Sequence, residues 1–309
     1  MSRAMSGASF DILLFPTIYT YVPVVSRAKK IVMIYDVIAE LYPSLTLPRT
    51  SARLFWKAKV AMGRWQADAV ATISDYSRRG LMEHFGMKED GIHVVNAASD
   101  PVFRVLDDPK FTPRLKSLGL TDNQRLIVYV GGFGPHKNVA ALVTAFAKLS
   151  SSPSFSDARL VLVGEYQKEV FHSYATIIQR QLAELGIEKH VTFTGYLPDE
   201  ELVVLLNRAT VSVLPSLIEG FGLPAVEAAA CGCPVIATKE SPLPALLGET
   251  SLYFDPRQPA ELEESLTRVL GSNALRSTMS QGGREAASHL TWEASAHQMA
   301  TLIRKVGTS

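Results

Sequence analysis

The chain has 309 residues, 47% of them apolar and 20% charged, with a formal net charge of +1. That length supports two domains of ordinary size, and the apolar share is enough for a large core, which excludes disorder. A balance this close to neutral argues against a protein built to coat nucleic acid, which carries a basic excess or stripe.

Along the chain, the apolar stretch ILLFPTIYTYVPVV at 12–25 comes first. Asp11 opens it, Pro16 and Pro23 break it, and it is too short to span a bilayer. It therefore reads as a strand and an irregular loop rather than a signal sequence, and the chain as cytoplasmic. Short β-branched runs then alternate with helical patterns. The expected strands are DILLF, KIVMIY, DAVATI and IHVV, followed by RLIVYV, RLVLVG, HVTFTG, VSVLP and PVIAT. Strands apolar on both faces and separated by helices predict parallel sheets covered on both sides, an α/β architecture. Among the helices, 174–185 carries Ile178, Leu182 and Leu185 on one face and stops at Gly186; 259–270 carries Leu262, Leu266, Val269 and Leu270. Between about 100 and 124 the periodicity fails among prolines and charges. The expected division is a first domain at 1–105, a linker at 106–124 and a second domain at 125–290. A closing helix at 291–309 is expected to pack back toward the first. Its N-cap is Thr291 and its stripe is Trp292, Ala296, Met299, Ile303 and Val306. The only cysteines, Cys231 and Cys233, are too close for a good disulfide and read as small buried side chains in a reducing compartment.

In a doubly wound α/β fold, ligands bind beyond the carboxyl ends of the strands. Two such ends look specialised. In YVGGFGPHKN, at 129–138, a strand runs into Gly131 and Gly132, then His136 and Lys137, then a helix near Val139. Glycines allow close backbone approach, and a helix N-terminus with a lysine suits a phosphate or diphosphate. The Gly-Lys-Ser/Thr ending of a P-loop is missing. The second end is PSLIEGFGLPAVEAAACGCPVIAT, at 215–238, where Glu219 lies in the loop and Glu227 about one turn into a helix that stops at Gly232. Gly220 and Gly222 leave backbone N–H groups at that helix mouth. Carboxylates repel a diphosphate but accept strongly from hydroxyls, so the implied ligand is a diphosphate flanked by hydroxyl-rich groups, as in a nucleotide sugar. The plainer alternative, an exposed Glu219 and a Glu227 that serves the helix dipole, accounts for Glu227 alone but not for the paired loops.

The stretch at 215–238 closely resembles the Glu-x7-Glu donor motif of retaining glycosyltransferases of family 4. VGGFGPHKN, FTGYLPDEELVVLLNRA and SLYFDPRQPAELEESLTRVL resemble other parts of the same family, and MIYDVIAELYP, ADAVATISDYSRRGLMEHF and IHVVNAASDPVF extend the match more weakly. The resemblance implies a GT-B fold of two Rossmann-like, doubly wound parallel-sheet domains, the first truncated. It implies transfer of a hexose, often mannose, from a GDP-, UDP- or ADP-sugar to a saccharide or lipid-linked acceptor in surface polysaccharide or glycolipid synthesis. It also implies site roles. Glu219 would hold the donor sugar as positive charge develops, and Lys137 would neutralise the leaving diphosphate. Glu227 would bind the ribose, and Tyr196 and Leu197 would lie at the base. Ser216, Gly220, Phe221, Gly222 and Leu223 complete the donor set, while Tyr35, Asp36 and Ser74 are candidate contacts from the first domain. No cofactor or bound metal is expected. Peripheral contact at the inner face of the membrane, and self-association through an exposed sheet edge, are left open.

The chain departs from the family in three places. Gly132 and His136 stand where an arginine often accompanies the lysine. Tyr35-Asp36 replaces His-Asp. The first domain is short and lacks its opening strands and glycine-rich loop, so the chain is expected to begin within that domain, as a fragment, a late start or a natural miniature. The lost histidine and missing strands favour one rival reading, a non-catalytic nucleotide-sugar-binding protein, and a sugar-nucleotide epimerase of the same fold is a second.

Overall fold

A computed structural model of the protein describes residues 10–166 and 174–308. Contacts divide the chain into two compact units, one of Met1–Ala98 with Leu290–Ser309 and one of Ser99–His289.

The first unit carries β1 (Ile12–Phe15), β2 (Lys29–Met33), α1 (Ile38–Leu41), α2 (Pro43–Thr46), α3 (Thr50–Gln66), β3 (Ala69–Thr72), α4 (Asp75–Phe85) and β4 (Ile92–Val94). All four strands are parallel, in the order β1-β2-β3-β4. The period of two along a strand decides the layers. Val32 and Val70 face one core with Leu13, Phe15, Val60 and Leu81, while Ile31, Ala69 and Ala71 face another with Val95, Leu302 and Val306. The chain's last helix therefore closes the second face of this sheet.

The second unit carries α5 (Pro113–Ser117), β5 (Arg125–Val130), α6 (Val139–Ser150), β6 (Ala158–Val163), α7 (Ala175–Leu185), β7 (Val191–Gly195), α8 (Asp199–Arg208), β8 (Val211–Leu214), α9 (Leu223–Ala230), β9 (Val235–Thr238), α10 (Leu243–Leu247), β10 (Leu252–Phe254), α11 (Pro259–Gly271) and α12 (Asn273–Ser288). The last helix, α13 (Trp292–Gly307), returns to the first unit. The second sheet is all parallel in the order β10-β9-β8-β5-β6-β7. From the central β5 the chain winds outward through β6 and β7, then crosses back to β8 and winds the other way. The switch point lies between β5 and β8, where such a sheet opens a crevice beyond its carboxyl edge.

Several expectations need correction. The segment read as a linker, 106–124, packs into the second unit, and the boundary falls at Ala98 and Ser99 rather than after 105. Phe111, Leu115 and Leu120 are buried there, Leu106 N donates to Asn207 Oδ1 at 2.8 Å, and Arg114 donates to the Tyr196 carbonyl at 2.8 Å. In α7, Leu185 is exposed and Ala175 takes the buried place with Ile178 and Leu182. In α13 the expected stripe holds in its second half, where Val306 is buried and Met299 and Ile303 pack against the core, but Trp292 and Ala296 face outward, and Ser295 and Leu302 are buried instead. Two hydrogen bonds hold the first turns of this helix. Ser295 Oγ donates to the Asn96 carbonyl at 2.6 Å, and Gln298 Oε1 accepts from Asn96 N at 2.9 Å. Thr291 caps this helix through its hydroxyl, which accepts from Ala294 N at 3.2 Å. β10, a three-residue edge strand, was not among the expected strands. No helix among the described residues is long and apolar enough to cross a membrane.

Candidate functional site

The two specialised strand ends, after β5 and after β8, are neighbours at the switch point of the second sheet. Both loops depend on backbone shapes that side chains tolerate poorly. Gly222, at the N-cap of α9, has φ 85°, and a Cβ there would meet Leu243 Cδ1 at 2.8 Å. Beneath the first loop, Gly164 at the end of β6 lies so close to the Gly131 carbonyl that an added Cβ would sit 2.1 Å from its oxygen. Sequence reasoning missed Gly164, because a glycine ending a strand is an ordinary sight until a second backbone is found against it.

The loops are stitched together across the switch point. Lys137 Nζ donates to Glu219 Oε1 at 2.6 Å, and the wholly buried Ser216 donates to the same oxygen at 2.6 Å. Leu217 N donates to the His136 carbonyl at 2.8 Å, and Glu219 N to the Glu240 carbonyl at 2.9 Å. Asn138 is the one non-glycine residue with positive φ among the described residues, at 55°, and it stands at the N-cap position of α6 without a side-chain bond to that helix. Its Nδ2 donates to the carbonyls of Pro215, at 3.1 Å, and Pro256, at 3.4 Å. Glu219 is only 7% exposed, which removes the alternative of a solvated loop carboxylate. Phe221 is buried and Gly220 with it, so that stretch can meet a ligand through its backbone rather than through the aromatic ring.

His136 does not replace an arginine's charge. Burial first, then the Lys137 cation, push its pKa down to about 4, with Glu219 opposing, so the ring is neutral at physiological pH. Its buried Nδ1 has no hydrogen-bond partner. The positive charge at this strand end is therefore that of Lys137.

Glu227 is the fifth residue of α9, beyond the first turn, which leaves little for it to do at the helix dipole. Burial, with the nearby carboxylates of Asp199 and Asp100, pushes its pKa up to about 7. Tyr196 is exposed and Leu197 buried. Leu223 opens α9 and is half-buried, with Gly132 exposed at the end of β5. Cys231 and Cys233 are buried and free, and burial drives the Cys231 thiol up to about 12.

The profile of the family described as glycosyl transferases group 1 matches residues 111–286. The chain belongs to that family. Among its relatives is the D-inositol 3-phosphate glycosyltransferase of Corynebacterium efficiens, 30% identical over 247 residues that cover 79% of this chain and 58% of the relative. Another is the O-antigen chain mannosyltransferase B of Escherichia coli, 28% identical over 228 residues covering 74% of this chain and 58% of the relative. The chain thus spans 58% of the length of either. Among solved structures, the sucrose-phosphate synthase of Thermosynechococcus elongatus superposes with a TM-score of 0.75 at 27% identity, covering 90% of this chain and 68% of that one. The two Rossmann-like units have the GT-B fold.

In this member of the group 1 family, the candidate residues of the first unit have local work of their own. Tyr35 Oη donates to the Pro16 carbonyl at 2.8 Å, Asp36 Oδ1 accepts from Ile38 N at 3.0 Å, and Ser74 Oγ caps α4 by accepting from Ser77 N at 3.0 Å. Among the described residues, no group of three or more His, Cys, Asp or Glu is placed to hold a metal ion.

Proposed function

We propose that the second unit binds a nucleotide diphosphate sugar across its switch point, and that the protein transfers the hexose, with retention, to a saccharide or lipid-linked acceptor in the cytoplasm. The observation that carries this reading is the pairing of Lys137 with Glu219, two residues from loops that meet only in the folded sheet. Lys137 and the N-terminus of α6 take the diphosphate, which needs no metal ion. Glu219, fixed through one oxygen by Lys137 and Ser216, accepts from the sugar hydroxyls and stabilises the positive charge of the departing sugar. Backbone N–H groups of 220–223 lie along the sugar and phosphates, Glu227 takes the ribose, and the Tyr196–Leu197 turn takes the base. The relatives' names support a mannosyl or related hexosyl donor.

The test begins with thermal shifts against GDP-, UDP- and ADP-hexoses to find the donor, followed by donor consumption with and without candidate acceptors. Glu219→Gln keeps the shape of the side chain and loses its charge. It should lower turnover by roughly 10²–10³-fold, the usual effect of removing one charge-stabilising group. Full activity in this variant would sink the assignment. Interconversion of the donor without an acceptor would favour the epimerase reading instead.

A further inference from the structure

The end of β7 is irregular. Leu162 of β6 pairs with Phe193, but the next residue, Val163, pairs with Gly195, so Thr194 is an extra residue in β7. A bulge of this kind leaves its extra residue outside the ladder and re-aims the chain beyond it. Gly195 takes φ 69°, and the chain leaves the sheet into the turn of Tyr196 and Leu197. The carbonyls of Thr194 and Tyr196 find their partner in one guanidinium from a segment far away in sequence. Arg114 Nη2 donates to the Tyr196 carbonyl at 2.8 Å and to the Thr194 carbonyl at 3.3 Å, and its Nη1 donates to Glu201 Oε2 at 3.3 Å. Thr194 and Tyr196 precede the turn's exit, and Glu201 lies in the first turn of α8 beyond it. The fork of Arg114 therefore ties the strand end to the helix start across the turn. Thr112 completes the arrangement: its hydroxyl donates to Glu201 Oε1 at 2.9 Å and accepts from Leu115 N at 3.3 Å. The support is itself anchored, because Phe111 and Leu115 are buried on either side of Arg114. Arg114 is exposed, so its ion pair with Glu201 alone would count for little. Its bonds to two backbone carbonyls are what fix the turn, and a planar fork suits them where a lysine's point charge would not.

We propose that Arg114 is a positioning residue for the base turn and, through that turn, determines which nucleobase the protein accepts. This rests on the reading of the Tyr196–Leu197 turn as the seat of the base. Arg114 acts on the backbone of the turn and not on the nucleotide. Hydrogen bonds weaken steeply as their angle opens, so groups meant to read the edge of a base must be held at a fixed angle. A site whose polar groups are fixed rejects a base that leaves them unpaired, whereas a turn free to swivel accommodates several bases alike. The segment read as a linker thus acquires a part in specificity.

The experiment is calorimetry on the full chain with GDP, UDP and ADP, and with inorganic diphosphate, which has no base. The wild type is expected to prefer one nucleotide over the others by about tenfold or more, the scale of one well-made hydrogen bond. Arg114→Gln should bind that nucleotide about tenfold more weakly, lose most of the preference, and bind diphosphate as the wild type does. In the transfer assay the loss should fall on KM for the donor rather than on kcat. Arg114→Lys keeps a charge for Glu201 without the fork, and should hold the wild-type melting temperature while losing the preference. Glu201→Gln removes the ion pair and leaves the bonds to the two carbonyls, so in this control the preference should survive. Wild-type preference in both Arg114 variants overturns the proposal. So does an equal loss of preference in Glu201→Gln, or a matching loss of diphosphate binding in Arg114→Gln, either of which would make Arg114 a support of the fold alone. A wild type that binds all three nucleotides equally also overturns it. A wild type that binds none of them overturns the donor reading itself, and this inference with it.

Discussion

Replacing Glu227 by glutamine should make the protein more stable at high pH and leave it nearly unchanged at low pH. The carboxyl titrates near its ordinary 4.5 in the unfolded chain and at about 7 in the folded protein, because burial and the carboxylates of Asp199 and Asp100 disfavour its charged form. A raised acid pKa means that folding takes up a proton. The stability linked to this group is therefore complete below the unfolded value, falls as pH rises toward 7, and is flat above it. The interval between the two values corresponds to about 3 kcal/mol. Glu227→Gln has no proton to lose, so the variant should exceed wild type by that order above neutrality. For a unit of this size each kcal/mol moves Tm by roughly 2–4 °C, so the difference should reach several degrees. Melting curves of both proteins across the acid-to-alkaline range measure it directly. A Tm difference that does not change with pH would refute the account of Glu227 as a buried carboxyl that must ionise. The same titration bears on the ligand: if the ionised form accepts from ribose hydroxyls, donor affinity in wild type should rise through about 7 and level off, and Glu227→Gln should bind weakly throughout.

Lys137→Ala should slow turnover by roughly 10²–10³-fold with a smaller effect on donor affinity, because charge on the diphosphate grows as the sugar leaves; unchanged turnover with lost affinity contradicts the role. The same substitution strands the Glu219 carboxylate, and since Lys137 is partly exposed the cost to stability should be about 1–3 kcal/mol, read from denaturant midpoints. Transfer by the wild type should persist in excess chelator, and dependence on added metal would mean that the diphosphate is neutralised in another way. Gly164→Ala should displace the Gly131 carbonyl, lower stability by about 1–3 kcal/mol and weaken donor binding measured by calorimetry; wild-type affinity in a folded variant would show that the loop tolerates the shift.

The second unit was the more legible half, for a physical reason. Its strands are buried on both faces, so RLIVYV or VSVLP stands out as an apolar run, and its site announces itself through charges and glycines placed where strands end. The pairing of Lys137 with Glu219 was not readable, because it depends on β5 and β8 being neighbours, a matter of winding rather than of local pattern. The segment 99–124 misled for the opposite reason: its buried residues, Phe103, Phe111, Leu115 and Leu120, follow no helical or strand period and sit among prolines and charges. In α13 the expected stripe held at Met299, Ile303 and Val306 and failed at Trp292 and Ala296. Ser295, which an apolar stripe leaves out, is buried there and donates to the Asn96 carbonyl, while Trp292 is exposed. α3 shows the limit of reading burial from apolarity, since Leu54, Phe55 and Trp65 have the composition of a core and the exposure of a surface.

Asn138 combines two demands that are seldom met by one residue. It holds a left-handed backbone conformation, and its amide ties the end of β8 and the turn after β10 to the end of β5. Loops held in this way give up conformational freedom when the chain folds. A nucleotide arriving at the switch point has little entropy of ordering to overcome there, and more of each contact it makes is expressed as affinity. The corollary concerns time as well as strength: the less these two loops must settle after contact, the more the arrival and release of a nucleotide there are governed by diffusion and by the contacts themselves.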